Sequence, residues 1–260
     1  MRTVIDFQLM IATGVILTLG ILIHFSTAPE KAIFHIGFIS AGIICGIIAS
    51  KIDYNSLSLF QPYLYVFTLI LLVLTLFLGV NLRGSTRWID LGIFRFQPSE
   101  PAKLILIICF SQFISGLNLQ SFLNLLKYLA YISLPVILVF LQPDLGSAIL
   151  IATLGASIFF ASGVRLKHLL IFISLGLLLA PIGWVGLKDY QKDRLTTFLN
   201  PTAEPLGKGY NSVQSLIAVG SGQITGRGLG HGTQSKLKFL PEYQTDFAFA
   251  ALAEELGLVG

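Results

Sequence analysis

Apolar residues in this chain fall in long unbroken runs, and polar residues gather in narrow bands between them. The runs are Phe7–Ala28, Ala32–Ser50, Pro62–Leu82, Leu104–Leu117, Tyr128–Pro143, Leu145–Val164 and Leu169–Leu187. Most lie near the ~20 residues that carry a helix across a bilayer. The fourth is short as written, and is expected to begin nearer Pro98, because Glu100 and Lys103 fit in its first turns. An eighth run opens at Phe247 and is still apolar at Gly260, which reads as a helix cut in mid-span and predicts that the chain continues. The expected fold class is therefore an all-α polytopic membrane protein. Residues 1–187 would hold seven complete transmembrane helices, 188–245 a large polar loop, and 246–260 the start of helix eight.

Composition agrees. Charged residues make up 12% and hydrophobic residues 54% of the chain, with a mean hydropathy of +0.81. A soluble domain carries about 25% charged residues, so water-facing side chains are scarce. The first run is too long for a signal-peptide core and lacks a small-x-small cleavage site before the second, so it reads as a retained helix. Cys45 and Cys109 lie inside apolar runs and read as packing residues. His24, His35, His168 and His231 are scattered without metal-ligand spacing, so no protein-ligated zinc site is expected.

Charge does not decide orientation by the Lys/Arg bias of short loops. Arg2, Lys51, Lys127, Arg165 and Lys167 fall on the N-terminal side, and Lys31, Arg83, Arg87, Arg95 and Lys103 on the other, where the long loop adds more. Either the topology is reversed, or those cations hold an anionic substrate at the membrane face.

Within the loop, Tyr210, Val213 and Leu216/Ile217 fall at helical spacing and predict a helix lying on the membrane or against the bundle. Gly220 to Gly232 is dense in glycine, which permits close approach to a ligand and equally describes a loose surface loop. It lacks the Gly-Lys-Ser/Thr ending of a nucleotide-binding P-loop.

With only 13 acidic residues in the chain, each one beside an apolar run is a candidate for function. Glu100 and Asp144 each follow a proline at the start of a run, an ordinary helix-start signal. Glu100 has Lys103 one turn on, predicting a neutralised pair inside the bundle. Asp246 sits where the loop re-enters the membrane. It reads either as a helix-start acid or as a general base that Phe247 and Phe249 shield from water. Glu254 lies about 12 Å deeper and about 80° round the same helix, with Glu255 facing nearly the opposite side.

Five motifs in order carry a resemblance: Arg87-Trp88-Ile89-Asp90-Leu91-Gly92; Arg95-Phe96-Gln97-Pro98-Ser99-Glu100 with Lys103; Gln142-Pro143-Asp144-Leu145-Gly146-Ser147; Gly220-Ser221-Gly222 through Gly232; and Phe239-Leu240-Pro241-Glu242 to Glu254-Glu255-Leu256-Gly257. Together they resemble the SEDS family (shape, elongation, division and sporulation). The stretch His231-Gly232-Thr233-Gln234-Ser235 followed by Phe239-Leu240-Pro241-Glu242 is more similar to its elongation branch than to its division branch. The resemblance implies a ten-helix fold whose last two helices lie beyond this sequence, with the large loop extracytoplasmic at the bacterial inner membrane. It implies a peptidoglycan glycosyltransferase that polymerises lipid II, undecaprenyl diphosphate leaving, beside a class B penicillin-binding protein. Asp246 matches the family's essential loop aspartate and Trp88 lies in another functional motif.

On that basis Asp246 is the expected catalytic base. The expected substrate contacts are Arg83, Arg87, Trp88, Arg95, Glu100, Lys103, Asp144 and Arg227, with arginines countering diphosphate charge. A divalent cation, Mg or Mn, would assist; no organic cofactor and no nucleic-acid partner are expected. The competing expectations are a lipid II flippase with Glu100–Lys103 in its path, and a non-catalytic scaffold for the penicillin-binding protein.

Overall fold

The computed structural model describes residues 6–260 apart from 83–84, 93, 119–120, 165, 238, 242 and 244. It is mostly helical, in two units. Residues 52–186 form one, and residues 1–51 with 187–260 form the other.

The second unit opens with α1 (Phe7–Thr27) and α2 (Pro29–Ser50). Asp6 caps α1 by accepting from the backbone N–H groups of Gln8 and Leu9, and Pro29 starts α2, where its missing N–H costs nothing. Both helices keep apolar side chains exposed along most of their length, Cys45 among them. That thiol is therefore a surface group of α2 rather than the packing residue expected.

The 52–186 unit runs through α3 (Tyr54–Leu59), α4 (Gln61–Leu78), a three-stranded antiparallel sheet, and α5 (Ser99–Ser115). Then come α6 (Phe122–Leu141), α7 (Leu145–Ala161) and α8 (Leu166–Gly186). The sheet's strands are β1 (Val80–Leu82), β2 (Ser85–Asp90) and β3 (Arg95–Phe96), with Val80 opposite Trp88 and Ile89 opposite Phe96. The apolar run expected to continue as helix to Leu82 thus stops at Leu78, and its last residues turn into the sheet.

Packing centres on α4, α5, α6 and α7, where Leu72, Leu106, Phe110, Tyr128, Ile151 and Phe159 are fully enclosed. Lipid tails are as apolar as leucine, so such a core is held by close contact and by satisfied polar groups more than by exclusion of water. Pro135 has no N–H to give Tyr131, whose carbonyl instead accepts from the Tyr65 hydroxyl at 2.6 Å. The Tyr128 hydroxyl reaches the Gly155 carbonyl at 3.0 Å, and Gln142 reaches the Leu72 carbonyl at 2.9 Å. Among the described residues, α1, α2, α4 and α6 are long and apolar enough to cross a membrane.

After α8 the chain forms α9 (Asp189–Leu199), α10 (Tyr210–Gly222), the single turn α11 (Thr233–Lys236) and α12 (Ala248–Leu256). A cleft of about 260 Å³ lies between α9 and the turn after it, lined by Asp193, Asn200, Glu204 and Lys208. The hydrogen bond to Asp193 holds the Lys208 ammonium above its ordinary pKa. The helix expected over 210–217 is present and five residues longer, packed against α12 through buried Ala218. The last apolar run makes a nine-residue helix that Gly257 ends in a left-handed conformation, φ +70°. The chain then returns to pair Leu258 and Val259 with the Gln223 and Ile224 carbonyls.

Candidate active site

Asp246 lies in the turn just before α12, one residue ahead of its N-cap, Phe247. A carboxylate there projects beyond the helix, and Asp246 is exposed. Phe249 is 75% exposed. The expected shielding by flanking phenylalanines is therefore not formed, because Phe249 points outward while Phe247 turns toward Ala218, Leu240 and Ala250.

The glycine-rich segment is not a loose loop. Gly226 takes φ +77° and lies so close to α12 that a side chain would collide with the Glu255 carbonyl. That approach lets Arg227 and Gly228 donate their backbone N–H groups to the carbonyls of Glu254 and Glu255, at 3.0 and 2.9 Å. These carbonyls are the ones a helix end leaves without partners. The segment is a collar on the last turn of α12.

Glu254 is fully buried, and its carboxylate ties the collar down further. One oxygen accepts from the Gln234 N–H at 2.8 Å and the Thr233 hydroxyl at 3.2 Å. The other accepts from the Ser235 N–H at 3.1 Å and the Ser235 hydroxyl at 3.0 Å. A buried charge persists when every lone pair finds a donor. On the opposite face Glu255, equally enclosed, receives the Ser26 hydroxyl of α1 at 2.6–2.7 Å. Arg227 is exposed; its Nη1 donates to Thr233 Oγ1 at 2.9 Å and its Nε lies 3.4 Å from the Ser221 carbonyl.

The other unit gathers a second set. Asp144 caps α7 through the Ser147 N–H and hydroxyl. It also accepts from Gln97 at 3.0 Å and from Arg87 at 3.4 Å. With Asp144 buried, this knot pins β2 and the approach to α5 onto α7. Both Asp144 carboxylate oxygens accept from protein groups. Arg95 pairs with Asp90 across β2 and β3 at 3.8 Å, and Trp88 is half-buried in β2. Lys103 and Glu100 form the expected pair at 2.8 Å. The pair is not interior, since Glu100 keeps 57% of its side chain exposed in the first turn of α5 while Lys103 folds over it. Arg83 lies outside the described residues.

Sequence reasoning passed over Gln97, Ser26 and Thr233 as site residues. The sequence offered only a partial signal for Thr233, a hydroxyl directly after the glycine run; that Glu254, 21 residues on, is buried against it shows only in the fold. Among the described residues no three of His, Cys, Asp and Glu converge.

The family model for the FtsW/RodA/SpoVE group, described as cell cycle protein, matches residues 3–260. The chain is 44% identical over 227 residues to the peptidoglycan glycosyltransferase MrdB of Escherichia coli K12, covering 86% of this chain and 61% of that protein. It is 35% identical over 278 residues to stage V sporulation protein E of Bacillus subtilis, covering 100% of this chain and 75% of that one. Among solved structures it is similar to a chain from a study of a peptidoglycan synthase complex that coordinates polymerization and crosslinking. That match has a TM-score of 0.76 at 28% identity, over 98% of this chain and 72% of the other. The rod shape determining protein RodA of Thermus thermophilus matches with a TM-score of 0.59 at 21% identity, over 96% of both chains, a likeness of fold.

Proposed function

The chain belongs to the FtsW/RodA/SpoVE family, and from that premise we propose that it is a peptidoglycan glycosyltransferase of the bacterial cytoplasmic membrane. It would polymerise lipid II into glycan strands for elongation, on the extracytoplasmic face and beside a class B penicillin-binding protein. The chain spans 61% of the length of MrdB, so the activity belongs to the full protein. The observation that carries the reading is the 44% identity over 227 residues to a named peptidoglycan glycosyltransferase. In this reading the ten-helix plan has seven membrane helices before the loop over 188–245.

The chemistry needs three things: removal of a proton from the acceptor hydroxyl, charge to receive the leaving diphosphate, and a hold on the lipid. Asp246, exposed at the start of α12, is free to accept the 4-hydroxyl proton as the oxygen attacks the anomeric carbon. The carbon–oxygen bond to diphosphate breaks as the new glycosidic bond forms, and undecaprenyl diphosphate departs. Arginine guanidinium forks suit its oxygens. A divalent cation would arrive with the diphosphate, since Mg-type sites commonly take one or two carboxylates plus substrate phosphates.

Replacing Asp246 by Asn in the full chain, with its partner present, removes the base while keeping shape. Glycan synthesis from purified lipid II should fall at least about 100-fold, the scale of general-base catalysis. Synthesis at the wild-type rate would end the assignment. Transbilayer exchange of labelled lipid II without polymer would favour a flippase instead.

A further inference from the structure

Three of the arginines expected to meet diphosphate differ in one respect. Arg87 and Arg95 already face carboxylates, Asp144 and Asp90. Arg227 makes no ion pair among the described residues, yet its guanidinium is not free to wander. The Thr233 hydroxyl has a single hydrogen, which the Glu254 carboxylate takes at 3.2 Å, leaving the oxygen's lone pair for Arg227 Nη1 at 2.9 Å. Glu254 itself cannot shift, because both its oxygens are also held by backbone N–H groups. The buried charge therefore polarises and orients Thr233, and Thr233 orients Arg227. With the Ser221 carbonyl near Nε, on a different edge of the planar guanidinium from the Nη1 contact, the group is held at two points. Among the described residues three of its five N–H donors are left over, on Nη1 and Nη2, the two nitrogens whose outer edge matches phosphate oxygens.

We propose that Glu254 and Thr233 form a positioning relay that presents Arg227, in one fixed orientation, to the diphosphate of the lipid-linked sugar donor. The inference rests on the glycosyltransferase reading. Neither Glu254 nor Thr233 touches substrate. The collar exists, in this view, to hold still one cation that has no ion pair among the described residues, and the glycines are what let it lie against α12.

Glu254 is buried, so its substitution would mix folding with positioning; exposed Thr233 carries the test. The full chain with its transpeptidase partner is assayed in detergent free of phospholipid, with lipid II titrated. Thr233→Val should raise the KM for lipid II about threefold to tenfold, the worth of one hydrogen bond. Thr233→Ser, which keeps the hydroxyl, should restore the wild-type KM. Arg227→Ala should raise KM by at least as much as Thr233→Val, and adding Thr233→Val to it should change nothing further, because the relay then has nothing to position. Additive effects in the double variant, or a Thr233→Val defect in kcat alone that Ser does not rescue, would overturn the relay. So would a defect that emerges only when phosphatidylglycerol is added, since Arg227 would then be meeting lipid headgroups. A wild-type chain that makes no glycan sinks the polymerase reading itself, whereas active wild type with additive variants sinks only the relay.

Discussion

Glu254 stands in a different electrostatic position from Asp246, although eight residues separate them. Each oxygen of Glu254 faces one backbone N–H and one hydroxyl. A glutamine there must turn its amide nitrogen toward one of two backbone donors, whichever way it is placed. Glu254→Gln should therefore destabilise the protein by about 2–4 kcal/mol, from a lost charged acceptor and an orphaned N–H. Thermal unfolding in detergent measures it, and a melting point within a degree of wild type would refute the tie. Acids beside apolar runs were legible as special from the sequence, because charge is rare there. Which of them faces solvent and which is consumed by packing was not. The donors that decide it are neutral Ser, Thr and backbone groups, some from distant parts of the chain, and hydropathy does not register them.

Helices follow the apolar runs closely because a backbone in lipid has to satisfy its own hydrogen bonds. α1 and α2 end within a few residues of where the pattern placed them. The sheet did not follow, since Val80 and Leu82 extend the apolar run of α4 and nothing in hydropathy separates a strand from one more helical turn. α9 was illegible for the converse reason, being polar, with no apolar run to mark it. The exception inside α6 is Pro135, whose missing N–H is answered by Tyr65 from α4. Tyr65→Phe keeps the ring stacked on Tyr131, at 3.8 Å between centroids, but strips the carbonyl of its donor. It should cost about 1 kcal/mol. In a Pro135→Ala background the helix supplies its own N–H to Tyr131, so the same change should cost much less. Equal costs in both backgrounds, measured by unfolding in detergent, would show that the two groups are not coupled.

Orientation is a property of the whole molecule, and the usual bias of Lys and Arg toward the cytoplasm does not fix it for this sequence. The proposed function implies one. If the chain polymerises lipid II outside, as proposed, the 188–245 segment would face outward, and its basic residues would serve substrate charge rather than topology. Lys208 lies in that segment and is exposed, and Lys51 follows α2 on the side assigned to the cytoplasm. With Cys45 and Cys109 first replaced by alanine, a single cysteine at each position tests the assignment in intact cells. Lys208→Cys should react with a membrane-impermeant maleimide without lysis, and Lys51→Cys only after it. The reverse pattern would put Asp246 and the collar on the cytoplasmic face. There the basic segment would merely obey the charge rule, and neither polymerisation outside nor a diphosphate contact at Arg227 could stand.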